Sequence, residues 1–198
     1  MQHKQIRLRR RPDDNIFIFD NVITDELCDK IIDVIKKEPK VKDDWNRGNN
    51  VVCEYAEVHN LKDENIKLEI DDAIFKVMSA IIKVFALYDI KITSDSGYLL
   101  RKITGPTRFH MDSPFSGSPD DDKVRVVSIV IALNDDHEGG EFIFPQQRRK
   151  IKLKKGQLIA FPPYWTHPHG TADLRNNTVR YTVTSWLNVA REDCITFN

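Results

Sequence analysis

Cysteine is scarce in this chain of 198 residues: it has three, Cys28, Cys53 and Cys194, an odd number at wide spacing. A disulfide framework or a zinc knuckle needs paired thiols at short, regular intervals, so neither is suggested and a reducing compartment is expected. Net charge is also lacking. Thirty Lys and Arg offset thirty Asp and Glu, which leaves no domain-wide positive field for a phosphate backbone, and nucleic acid is not expected as a primary partner. The run Arg7-Leu8-Arg9-Arg10-Arg11 is the local exception; it reads as a solvated segment or as a small anion-attracting patch. There is no uninterrupted apolar stretch long enough to span a bilayer, and Met1-Gln2-His3-Lys4 opens no apolar leader. A cytoplasmic protein without a membrane partner is the expectation, and nothing in the composition bears on oligomeric state. Internal repeats and low-complexity tracts are absent too, and the length fits one domain, residues 1–198, with a sizeable core.

The hydrophobic pattern changes period partway along the chain. Ile16 to Phe19 form a short apolar strand, after which Thr24 is a plausible N-cap, with Asp25 and Glu26 placed to complement a helix dipole. Leu27, Cys28, Ile31, Ile32 and Ile35 recur at helical spacing, Lys36-Lys37 favour the C-terminal end, and Cys28 serves as a small buried hydrophobe. A second helix is expected from about Asp63 to Leu87, its stripe formed by Ile66, Ile70, Ala73, Val77, Ile81 and Val84. Both helices need a large apolar surface and are placed on one face of a sheet. Between them, Pro39 to Cys53 is a mostly polar loop around Trp45, either a binding loop or an exposed linker.

From Ile90 onward the pattern is that of strands: Gly97 to Ile103, Val124 to Leu133, Glu141 to Phe144, Lys150 to Leu153, Gln157 to Phe161, Trp165 to His169, and Val179 to Leu187. Asn134-Asp135-Asp136 and Arg175-Asn176-Asn177 are the clearest turns between them, and Ser113 to Lys123 reads as a mobile loop. Many short strands after two helices indicate an α+β, mostly β fold: a jelly roll, or double-stranded β-helix, over residues 90–190, with the strand and supporting helices over about 15–88.

The chemistry concentrates in His110-Met111-Asp112. On a strand, positions i and i+2 point to one side, so His110 and Asp112 offer an imidazole and a carboxylate to a single ion. A histidine from Trp165-Thr166-His167-Pro168-His169 would complete two His and one carboxylate, a facial set that leaves positions on Fe(II) open for a co-substrate and O₂. Arg180 follows on the last long strand, where its planar guanidinium suits a carboxylate.

In this order His110-Met111-Asp112, Leu133-Asn134-Asp135, Gly139-Gly140-Glu141-Phe142, Lys155-Gly156 through Phe161, and His169 with Arg180 resemble the Fe(II)/2-oxoglutarate-dependent dioxygenases, specifically the prolyl 4-hydroxylase-like branch. The stretch Phe17 to Cys28 resembles the strand-into-helix opening of the same family, so the likeness spans nearly the whole chain. It implies a jelly-roll hydroxylase that uses Fe(II), 2-oxoglutarate and O₂, with ascorbate as an optional reductant, and that releases succinate and CO₂. His110, Asp112 and His169 are then the metal ligands, with His167 as the alternative third. His169 and Arg180 are eleven residues apart and His167 and Arg180 thirteen, both longer than the family's usual interval. Arg180 would take the distal carboxylate of 2-oxoglutarate, with Thr182 and Tyr98 as secondary contacts. Asp112 fills the position a halide would need, which favours hydroxylation. The resemblance points to a prolyl residue of a peptide or protein as substrate, with Arg108 and Trp165 lining its groove. A hydroxylase of a free amino acid or other small molecule, and a non-catalytic metal- or peptide-binding jelly roll, are the alternatives.

Overall fold

The computed structural model describes residues 6–11, 14–38, 40–42, 53–114 and 122–194. Its elements in chain order are β1 (Arg7–Arg10), β2 (Phe17–Asp20), α1 (Asp25–Lys37), β3 (Val41–Lys42), β4 (Cys53–Glu57), α2 (Glu64–Ala86), β5 (Ser94–Asp95) and β6 (Leu99–Ile103). There follow β7 (Lys123–Ala132), β8 (Glu138–Gly139), β9 (Phe142–Phe144), β10 (Arg149–Ile151), β11 (Leu158–Phe161), β12 (Gly170–Thr171), β13 (Leu174–Arg175) and β14 (Arg180–Ala190).

A large antiparallel sheet runs β1-β2-β11-β7-β14-β6-β4-β3, with β5 added beside β14. A smaller layer is made of β10-β9-β12 and the pair β13-β8. Strand alternation gives the large sheet two apolar faces. Phe17, Phe19, Leu100, Val127, Ile129, Ile131, Leu158, Ala160, Val183 and Leu187 pack against the helices. Their neighbours Ile16, Val130, Ala132, Ile159 and Phe161 face the other way and join Phe142, Phe144, Ile151 and Leu153 inside the roll. This is the jelly roll expected from the strand pattern, with both helices on one face.

Local chemistry sets the helix ends. Thr24 Oγ1 accepts from the Leu27 amide at 3.2 Å, and Asp63 Oδ1 accepts from the Asn65 and Ile66 amides at 3.1 and 3.2 Å. The buried stripe of α2 is Ile70, Ile74, Val77, Met78, Ile81 and Phe85. It is turned relative to the expected one, because Phe85 and Met78 offer more apolar area to the core than Ala73 and Val84.

Two expectations are corrected and one is refined. Arg7–Arg10 is an edge strand paired with Phe17–Asp20, with residues 7–9 exposed to solvent, and Arg9 forms an ion pair with Asp20; edge cations discourage further strand pairing. Trp165 to His169 is not a strand: residues 164–167 form a turn, and only His169 enters a bridge. Pro162, Pro163 and Pro168 remove the ladder donors a strand would need. Cys53, expected to be the last residue of a loop, instead opens the strand Cys53–Glu57, which pairs with β6. Pro39 and residues 43–52, with Trp45, lie outside the described residues, as do residues 115–121 of the second expected loop.

Candidate metal centre and co-substrate pocket

Backbone pairing brings the first two elements of the site together. The His110 amide donates to the His169 carbonyl at 2.9 Å, and the His169 amide returns a bond to the His110 carbonyl at 2.8 Å. This doubly bonded pair places the two imidazoles side by side, centroids 4.5 Å apart. Just beyond it, the Thr171 amide donates to the Thr107 carbonyl and the Thr107 amide to Thr171 Oγ1. Gly170 permits this approach, since a Cβ there would lie 2.8 Å from the Thr107 oxygen. Although Asp112 follows the bridge outside any strand, its Oδ1 lies 3.3 Å from His110 Nε2. One ligand atom from each of His110, Asp112 and His169 falls within 4.8 Å of the others, the one such group of three among the described residues.

Each of these side chains is oriented from behind. His110 Nδ1 donates to the Arg108 carbonyl at 2.9 Å, and His169 Nδ1 to the His167 carbonyl at 3.1 Å, because a carbonyl only accepts. Both Nε2 atoms are thereby left to face the shared point. Ser128 Oγ and Trp186 Nε1 donate to Asp112 Oδ2 at 2.5 and 3.1 Å, which leaves Oδ1 turned toward His110. Phe144 stacks on the His169 ring and Phe161 meets it edge-on. Burial opposes charge on His110, but Asp112 and the Arg108 carbonyl outweigh it and raise its pKa above the ordinary value. Burial also works against the Asp112 carboxylate, yet His110, His169 and Ser128 hold it well below the usual range. Burial pulls His169 below the ordinary imidazole value.

His167 is not brought to this point. Its Nε2 donates to the Asp14 carbonyl at 2.8 Å and its Nδ1 meets Thr166 Oγ1 at 2.9 Å, so both ring nitrogens are engaged away from His110 and Asp112. Asp14 is itself fixed by an ion pair with Arg149.

Deeper in the roll, Arg180 is buried and donates from Nη1 to the Gly140 carbonyl at 2.6 Å, with Phe142 at 5.3 Å. Burial lowers its pKa to about 10, so it stays cationic at neutral pH. No carboxylate among the described residues pairs with it, and its Nε and Thr182 Oγ1 are buried without a hydrogen-bond partner. Thr182 lies two residues along the same strand, on the same face. Tyr98 does not join them. It packs against the helix-side core with Leu100, donates its hydroxyl to Asp95 at 3.1 Å, and so lies on the opposite face of the sheet. Arg108 and Trp165 are exposed, Trp165 at 75%. Phe109 and Met111, on either side of His110, are also more than half exposed.

Ser128, Trp186, Asp14, Phe144 and Phe161 were not singled out by sequence reasoning. Parity with Arg180 and Thr182 could have found Trp186, which shares their face; nothing local could have linked Asp14 to His167.

The 2OG-Fe(II) oxygenase superfamily profile matches residues 99–188. No curated protein matches. Among solved structures, the 2OG complex of a viral collagen prolyl hydroxylase from Paramecium bursaria Chlorella virus-1 is 19% identical, with a TM-score of 0.68 over 90% of this chain and 97% of that one. A Trichoplax adhaerens prolyl hydroxylase in complex with a hypoxia inducible factor oxygen degradation domain peptide is 15% identical, with a TM-score of 0.67 over 91% and 86%. A Pseudomonas putida prolyl-4-hydroxylase is 16% identical, with a TM-score of 0.61 over 88% and 92%. The profile match is to 2-oxoglutarate-dependent dioxygenases, and the fold is shared with these prolyl hydroxylases. The profile match over residues 99–188 is to a superfamily whose cofactors are Fe(II), 2-oxoglutarate and O₂. The donor set fits them: two imidazoles and a carboxylate suit Fe(II), and a buried guanidinium whose Nε is unsatisfied, beside an unsatisfied hydroxyl, suits a carboxylate.

Proposed function

We propose that the protein is an Fe(II)- and 2-oxoglutarate-dependent hydroxylase of a prolyl residue in a peptide or protein. The observation that carries this reading is the joint presence, inside one roll, of the His110–Asp112–His169 cluster and the orphaned Arg180 Nε and Thr182 Oγ1. His110 Nε2, Asp112 Oδ1 and His169 Nε2 would hold the metal, and the carbonyls of Arg108 and His167 with Ser128 and Trp186 keep those atoms aimed. Bound together, the metal and 2-oxoglutarate supply the oxidative chemistry, with succinate and CO₂ as products. The guanidinium of Arg180 binds and orients the distal carboxylate, helped by Thr182, and the aromatic wall of Phe142, Phe144 and Phe161 keeps water from that depth.

A peptide substrate is supported by the exposed Phe109, Met111 and Trp165 beside the ligands in the chain, since apolar side chains kept in solvent suit a partner that covers them. The prolyl hydroxylases with the same fold add to that support. Arg108, exposed on the same segment, remains the polar contact of choice for such a peptide. The test is succinate release from 2-oxoglutarate with Fe(II), with and without proline-containing peptides, and mass spectrometry of the peptide. A gain of one oxygen on proline is expected. Peptide-independent turnover with no peptide oxidation, or oxidation of a free amino acid instead, would move the substrate to a small molecule.

A further inference from the structure

Helix α2 buries one stripe against the sheet and carries a second that no core cluster among the described residues includes. Leu68, Phe75 and Ile82 stand seven positions apart, so they line up along one side of the helix with a drift of about 20° per step. Leu68 is 64% exposed and Phe75 65%, Ile82 is half-buried, and none of the three belongs to either cluster. One exposed apolar residue is ordinary, but three in register along a helix make a surface that another helix fits. Ser79 and Ala86 fall on the same side, and their small side chains let a second backbone come close.

The charges beside this stripe decide which helix. On its solvent flank the exposed Glu69 and Asp72 precede Phe75, and the exposed Lys76 and Lys83 follow it; the other flank runs through the half-buried Asp71 into the core at Met78 and Phe85. A second copy of α2 turned antiparallel about Phe75 sets Leu68 of each copy against Ile82 of the other, with the two Phe75 rings at the axis. The acidic half of each solvent flank then meets the basic half of the other, whereas parallel pairing would bring like charges together. Within one chain Lys76 pairs with Asp72 and Glu69 with Lys30, while Lys83 has no partner among the described residues. Such exposed pairs are weak, so they exchange for pairs across an interface at little cost. Thirty basic and thirty acidic residues cancel over the chain, so no net charge holds two copies apart. We propose that this face of α2 is a homodimer interface, formed by antiparallel pairing with α2 of a second copy about a twofold axis at Phe75. Because α2 packs on the face of the large sheet away from the roll interior, the dimer leaves the His110–Asp112–His169 cluster open.

The experiment is sedimentation equilibrium of the whole chain over about 1–500 µM, the range in which an interface of this small size associates. The wild type is expected to form a dimer within that range. Phe75→Glu, which sets two carboxylates against each other at the axis, should weaken the dimer by at least about tenfold. Lys76→Glu makes the flank acidic on both sides of the axis and should weaken it by about fivefold; the charge swap Asp72→Lys with Lys76→Glu should return to within about twofold of the wild type. Helix content by circular dichroism and Mn(II) affinity should match the wild type in every variant, which separates a lost interface from a damaged fold. Leu68→Ser, with the same expected loss, replaces Phe75→Glu if that variant loses helix content. A wild type that stays monomeric through the range overturns the proposal, as does a dimer that survives both Phe75→Glu and Leu68→Ser. A charge swap no better than Lys76→Glu alone overturns the antiparallel pairing.

Discussion

His167 and His169 differ by two positions and by what their rings touch. Since His169 alone of the two presents a free Nε2 to His110 and Asp112, His169→Ala should abolish Mn(II) binding measured by calorimetry. His167→Ala should retain it, weakened by roughly 10–100-fold, because the His167 carbonyl that orients His169 loses its anchor on Asp14. The reverse pattern would give the ligand role to His167. Arg180 allows an equally direct comparison. Arg180→Ala should weaken 2-oxoglutarate binding by roughly 10–100-fold, the worth of a charge-assisted hydrogen bond, while Mn(II) affinity stays close to wild type. Arg180→Lys should fall between them, as charge survives but the planar fork does not. Unchanged affinity in Arg180→Ala would place the co-substrate elsewhere.

Two glycines let whole elements approach, and they act on different halves of the pocket. A Cβ at Gly170 would meet the Thr107 oxygen at 2.8 Å and the Phe109 nitrogen at 3.2 Å, driving β12 away from the segment that carries His110. Gly170→Ala should therefore cost about 1–3 kcal/mol of stability and weaken metal binding. Gly139, at φ +77°, would put its Cβ 1.9 Å from the Asp173 oxygen, within the β13–β8 pair. Its neighbour Gly140 supplies the carbonyl that Arg180 uses. Gly139→Ala should damage 2-oxoglutarate binding more than Mn(II) binding, and the same two titrations read both effects. Equal losses in both variants would mean that the two halves are not separable. Most of these elements could be placed from the sequence, because caps, apolar periods and turn residues act locally. The exception, Trp165 to His169, is interrupted by Pro168 and preceded by Pro162-Pro163, and its shape is set by the turn and by the His167 contact with Asp14 rather than by a ladder.

For the molecule as a whole, the buried His137 ties stability to pH. Burial and the nearby Lys152 charge lower its pKa in the fold, while its Nδ1 donates to the Gly139 carbonyl at 3.0 Å. In the unfolded chain it would titrate near the ordinary value of about 6.5, so below that pH the unfolded state binds the extra proton. Its contribution is thus complete above about pH 6.5 and is lost as pH falls through the lower folded value. The melting temperature should drop from pH 7 toward pH 5, and His137→Asn, which keeps a donor for Gly139, should flatten that slope. A slope unchanged in the variant would assign the effect to other groups.

The sequence by itself determined the roll, the helices on one of its faces, and the presence of His110, Asp112 and Arg180 in an order that resembles one enzyme family, because strand period and motif order are local or linear properties. Tertiary structure decided which histidine meets His110 and Asp112, since the group that engages His167 is a carbonyl 153 residues away. It also decided that Tyr98 lies on the opposite face of the sheet from Arg180 and Thr182. A period of two says that neighbours on a strand point apart, but only packing against the helices fixes which set points in.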